Sequence, residues 1–298
     1  MLASVGCSLR SMAVNAIVPT LADPTVYLSE EDPELVREAL PFLLKTIESI
    51  VTSSPDHREA LLFACQGFAL YANAFLETDA SLAQWEDYEV TDLLNGRARR
   101  MYVRARDYCL RRIELDYPGI AKQLRLDPEN AVQVFEDNDV ETMYYLGGSW
   151  ALAISLGLDQ PALAADLPAV RALMRRAAVL DEDYNRGVLQ TALITLESVP
   201  DYMGGSADRA REHFARAVEL SEGLDAAPYV SLASGVSISG NDRAEFERLL
   251  NEALEIDPDE DISNRLLNIV TQKRARVMLE HIDDLFDMPL VEDEGSGR

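Results

Sequence analysis

Seven arginines fall within sixteen positions: Arg97, Arg99, Arg100, Arg104, Arg106, Arg111 and Arg112. At 100° per residue, Arg97, Arg100, Arg104 and Arg111 form one stripe beside an apolar helix face. A guanidinium binds carboxylates bidentately, so the chemistry this stripe offers is recognition of a carboxylate. In a chain with 52 acidic and 27 basic residues, internal ion pairing is the more ordinary use of the same arginines. Little else reads as reactive. The three histidines, His57, His213 and His281, are scattered, and the three cysteines form no Cys-x-x-Cys pair, so no metal ligand is assigned. Gly-x-Ser-x-Gly, Gly-x-x-x-x-Gly-Lys and His-Glu-x-x-His are all missing. Gly147-Gly148-Ser149 reads as helix interior and Gly204-Gly205-Ser206 as a turn, neither with an adjacent base. The sequence therefore assigns no catalytic residue and no cofactor, and it points to binding.

The cysteines divide by context. Leu2-Ala3-Ser4-Val5-Gly6-Cys7 resembles the end of a bacterial lipoprotein signal, where a small residue precedes a lipid-accepting cysteine. Ser4 stands where leucine is usual, and the basic and apolar regions of such a signal do not precede it, so 1–7 reads as a truncated remnant. The other reading is a cytosolic chain with an incidental cysteine. Cys65 and Cys109 fall on apolar helix faces and are expected as buried thiols, not as a disulfide.

With 48% hydrophobic residues, the chain can bury a sizeable core. Its net charge of −25 argues against nucleic acid as a partner, since phosphate recognition needs a concentrated basic surface. The same charge repels anionic lipid, so membrane attachment would have to come through a lipid anchor or another protein.

The elements that must position these residues are helical. Segments 60–76, 142–158, 187–196 and 226–240 are uncharged, and each precedes a charged helix, beginning near Gly96, Leu167, Ser206 and Asn241. The uncharged segments are shorter than the roughly 20 residues of a membrane span. Ala210-x-x-x-Phe214-x-x-Ala217-x-x-Leu220 has the spacing of a tetratricopeptide second helix. Phe246-x-x-x-Leu250-x-x-Ala253 followed by Asp257-Pro258 repeats it near the 34-residue period, and weaker copies surround Ala177 and Ala105. Small alanines let helices approach, and the large residue fills the gap between hairpins. Insertions are expected at 77–95 and 117–138. A helix capped by Asp32-Pro33-Glu34 precedes the hairpins, with a kink expected at Pro41. A long amphipathic helix over 262–286 follows them. The expected class is an all-α, tetratricopeptide-like helical-hairpin superhelix with extra N-terminal, inserted and C-terminal capping helices. One domain is expected over 8–287, with an acidic disordered tail at 288–298.

Helices that are apolar all round are either buried or line a sheltered cavity. An apolar lumen walled by the first helices, or a closed stack with none, are the two outcomes. Phe68, Tyr71, Arg100, Arg104, Tyr144, Tyr145, Trp150 and Gln190 are the candidate ligand- or partner-facing residues, and Cys7 the lipidation site.

Several runs together resemble the T component associated with tripartite ATP-independent periplasmic (TRAP) transporters, TatT. They are Val36–Phe42 with Lys45–Ser49, Gly67-Phe68 with Tyr71-Ala72, Arg104–Tyr108, and Tyr144–Trp150. Ala210–Ala217, Phe246–Pro258, Gln272–Ala275 and Asp283–Phe286 complete the set. The resemblance spans about 6–287 and implies a periplasmic lipoprotein with cryptic tetratricopeptide-like repeats, often a homotrimer. It also implies association with the transporter's substrate-binding P component and help in taking up a small hydrophobic or carboxylate-bearing ligand. A cytoplasmic tetratricopeptide-like scaffold binding peptide segments of partner proteins is the competing expectation.

Overall fold

Local capping chemistry sets where the helices begin. In the computed structural model, which describes residues 18–21 and 23–286, Asp32 accepts from the Glu34 amide at 3.0 Å and Pro33 opens α1 (Pro33–Ser53). Cys7 and the expected acidic tail lie outside the described residues. α1 runs unbroken past Pro41, so the expected kink does not interrupt the helix. His57 caps α2 (Arg58–Tyr71), Asp87 caps α3 (Tyr88–Glu114), Ser206 caps α7 (Ala207–Leu220) and Asp242 caps α9 (Arg243–Glu255). Between them lie α4 (Val140–Ser155), α5 (Leu167–Leu180), α6 (Val188–Glu197) and α8 (Ala227–Leu232), with α10 (Arg265–Glu280) after them. No strand occurs among the described residues.

The helices α2, α4, α6 and α8, built on the uncharged segments, alternate with the charged helices α3, α5, α7 and α9, each packing on its successor. The result is an all-α helical superhelix. Ala98, Ala105, Ala177, Ala210, Ala217 and Ala253, singled out by spacing, are all buried at the contacts, and Tyr102, Met174 and Phe246 fill the gaps. A buried aromatic removes about 200 Å² from water, worth on the order of 5 kcal/mol before entropic costs.

Three boundaries differ from expectation. α2 does not stop at the first insertion: it continues through a π-helical turn, Ala72–Glu77, into Thr78–Ala83. That continuous helix is long and apolar enough to cross a bilayer, yet most of it is buried within the protein, which accounts for its composition. α3 begins at Tyr88 and not near Gly96, because Asp87 accepts from the Val90 amide at 3.1 Å. The helix expected over 262–286 breaks at His281.

One expectation is corrected. Cys65 and Cys109 are joined by a disulfide across the α2–α3 hairpin, with Cα atoms 5.4 Å apart. Both cysteines are buried, as their apolar helix faces imply. Two apolar faces 44 residues apart carry no mark of meeting, and only the hairpin register brings them together.

Candidate functional site

The inner helices form a ring. α2 touches α4, α4 touches α6, α6 touches α8, and α8 touches α10, which in turn touches the π-helical turn that extends α2. Polar side chains hold the closure. Arg274 on α10 donates to Thr78 Oγ1 at 2.8 Å and to the Asn73 carbonyl. Buried Asn268 accepts from the Ala226 amide and donates to the Leu224 carbonyl, both at 2.9 Å, which fixes α10 against the start of α8. Behind the turn, Glu77 bonds the buried Tyr102 hydroxyl, and burial holds its carboxyl above the usual range.

The inward face of this ring is a mixed surface. The large apolar residues of the uncharged helices, among them Leu61, Phe63, Phe75, Leu146, Leu193 and Leu232, are buried between helices. Residues that keep accessible surface on α4 are Glu141, Tyr144, Tyr145, Gly148, Ala151, Leu152 and Ser155, a stripe at helical spacing. On α6 they are Val188, Thr191, Ala192 and Thr195, and on α8 Ala227, Val230 and Ser231. A Cβ added at Gly148 meets nothing within 4 Å, so this stripe borders open space. The wall is uncharged over its middle, as the composition implied. Its chemistry is that of phenols, hydroxyls and small side chains, not the fully apolar lining expected.

Three tyrosines dominate this surface. Tyr144 packs edge-on against Tyr145 with ring centroids 4.9 Å apart, and against Tyr184 at 5.8 Å. Burial, and secondarily the charge of Asp225, pushes the Tyr144 hydroxyl up to about 12. Burial likewise pushes Tyr145 and Tyr184 well above the ordinary phenol range. All three phenols are half-buried. Asp225, just before α8, accepts from the Ala227 amide at 2.9 Å and from Asn264 at 3.2 Å, and burial holds its carboxyl above the usual range.

A second surface lies on the charged helix α3. An open groove of about 610 Å³ on the outer side of α3 is lined by Arg99, Arg100, Val103, Arg104, Asp107, Tyr108, Arg111 and Gln160. Arg104 lies over the Phe68 ring at 5.1 Å and Arg111 over Tyr108 at 5.5 Å. Phe68 and Tyr108 stack in parallel at 5.9 Å beneath them. Burial and a bond donated to Glu48 push the Tyr108 hydroxyl up to about 12.

The model of the TRAP transporter T-component family matches residues 29–286. The chain belongs to that family. An uncharacterized protein of Treponema pallidum (strain Nichols) is 29% identical over 301 residues, covering 94% of this chain and 93% of the relative.

In this T-component chain the candidate residues divide among three places. Tyr144 and Tyr145 lie on the ring's inner face. Tyr71 is half-buried and packs on Phe75 at 5.7 Å. Arg100 and Arg104 line the outer groove, with Phe68 forming its floor. Trp150 is fully buried in the core between Arg106 and Arg125, away from either surface. Gln190 is also buried, bonded to His213 at 2.6 Å and to Glu182 at 3.3 Å, so it ties α6 to α7. Gly148, Tyr184, Asp225 and Tyr108 belong to these surfaces and are not among the candidates read from sequence. Tyr184 sits in a turn with Asn185 and Arg186 at positive φ, a geometry that periodicity does not reveal. Tyr108, four residues after Arg104 and three before Arg111, was legible as an aromatic within the arginine stripe.

Proposed function

We propose that this protein is the periplasmic, membrane-tethered accessory component of a TRAP-type transport system, which binds the substrate-binding P component and receives a small ligand in its central recess. The observation that carries the reading is the closed ring of inner helices with an uncharged, tyrosine-rich inner face. Phenol rings offer apolar faces and hydroxyl donors together, so the surface suits a ligand with a hydrophobic body and a carboxylate or similar acceptor. Each 200 Å² of apolar ligand surface buried there contributes on the order of 5 kcal/mol before the entropic cost of association. The Cys65–Cys109 disulfide supports an oxidising compartment, in keeping with a periplasmic protein anchored through Cys7, and it weighs against the cytoplasmic scaffold.

Mixing the purified chain with the P component encoded beside it, in ligand-free and ligand-bound forms, tests the proposal by sedimentation velocity. A faster-sedimenting complex is the expected result, and no complex in either form refutes it. The same experiment on the chain alone reads the homotrimer that the family implies. Metabolic labelling with radioactive palmitate in cells carrying the full gene tests the anchor at Cys7.

A further inference from the structure

The outer groove is a concentrated basic surface on a chain with 52 acids and 27 bases. Its arginines are only partly neutralised internally: Arg99 pairs with Asp159 at 3.4 Å, and Asp107 on the groove wall accepts from Arg106 at 2.9 Å. Among the described residues, Arg100 and Arg111 have no carboxylate within ion-pair distance, and Arg104 reaches Glu48 only at 3.5 Å. Glu48 is already bonded by Lys45 and by the Tyr108 hydroxyl. Stacking on Phe68 and Tyr108 engages the flat faces of Arg104 and Arg111 and turns their N–H edges, each only partly used, towards carboxylates. Arg111 is further fixed by a bond to the Pro55 carbonyl at 3.2 Å. From Arg100 to Arg111 the helix advances about 16 Å, the length of about five extended residues.

The geometry points to this groove as the docking site for an acidic, Asp- or Glu-bearing segment of a partner protein, and it assigns that partner as the P component. The assignment of partner rests on the accessory-transport reading. An open run of spaced guanidiniums matches a row of carboxylates along an extended chain. A lipid surface is disfavoured, because the net charge of −25 repels anionic headgroups from the rest of the molecule.

The test uses fluorescein-labelled hexaglutamate and fluorescence anisotropy, with wild type and the Arg100→Ala/Arg111→Ala variant. Both positions are exposed, so the variant keeps its circular dichroism spectrum. Hexaglutamate is expected to bind wild type, to weaken as salt rises, and to weaken roughly tenfold or more in the variant. The P component is expected to lose affinity by a similar factor. No binding of hexaglutamate, or equal binding by the variant, overturns the inference. So does binding to equimolar phosphatidylcholine–phosphatidylglycerol vesicles without binding to the peptide. If wild type and variant bind the P component equally, the accessory role stands and the groove assignment falls. If wild type does not bind it at all, the accessory reading itself falls and takes the partner assignment with it.

Discussion

Removing the Cys65–Cys109 bridge gives the sharpest stability prediction. The bond closes a loop with a sequence separation of 44 between two helices packed as the first hairpin. On the loop-entropy relation, reopening a loop of that length restores about 4 kcal/mol of freedom to the unfolded chain. Spread over an unfolding entropy of roughly 2.1 cal/mol/K per residue, that corresponds to a melting temperature lower by about 6 °C in Cys65→Ala/Cys109→Ala. Both sulfurs are fully buried, so a reductant should leave the folded protein unchanged and act only once it unfolds. Thermal melts followed at 222 nm, with and without dithiothreitol, read both effects. Alkylation under denaturing conditions should find these two thiols blocked before reduction and free after it. A wild type whose melting temperature is indifferent to dithiothreitol, with both thiols alkylated without reduction, would refute the bridge and restore the reading as separate buried cysteines.

Two further outcomes follow from named contacts. Gly147 and Gly148 are neighbours on α4, yet a Cβ at Gly147 would sit 2.5 Å from Met174 Sδ while one at Gly148 meets nothing. Gly148→Ala is therefore expected to stabilise by about 0.5–1 kcal/mol through helix propensity, and Gly147→Ala to destabilise by about 1 kcal/mol as overpacking outweighs the same gain; urea titrations with the same sign for both would contradict this. Glu197 is a buried carboxylate bound by Arg175 at 3.0 Å and by Arg209 at 2.6 Å. Burial acts to raise its pKa, but the bonds from Arg209 and Arg175 prevail and hold it below the ordinary value of 4.5. Its contribution is thus complete above about 4.5 and is lost as pH falls through the lower folded-state value. Glu197→Gln should be less stable than wild type at neutral pH, with the difference shrinking below that range. A difference that stays constant down to acid pH would argue against the pairing.

How much of this was legible beforehand depends on range. The alternation of uncharged and charged helices, the small alanines and the N-terminal caps are local, and helix spacing displays them directly. Arg100, Arg104 and Arg111 were readable as one stripe for the same reason. What could not be read is which face of a helix meets which neighbour. The residues 60–76 show no charge whether they line a lumen or sit in a core. The structure buries Leu61, Phe63 and Phe75 and leaves accessible surface to Tyr71 and Asn73. Trp150 has the composition of a ligand-facing aromatic, but it points towards α3, where Arg106 covers it. The disulfide and the closure by Arg274 join positions 44 and about 200 residues apart, beyond any periodic signal.

The proposed ligand site requires the inner face to be a recess with limited access. Size-graded labelling of Gly148→Cys in a Cys7→Ser background measures this directly, with Tyr202→Cys on the outer surface as the comparison, since Tyr202 is 88% exposed. The prediction is that a small methanethiosulfonate modifies both cysteines, whereas a maleimide carrying a long polyethylene glycol chain modifies position 202 and fails at 148. Equal reaction of the large reagent at both positions, or no reaction of the small one at 148, would contradict it.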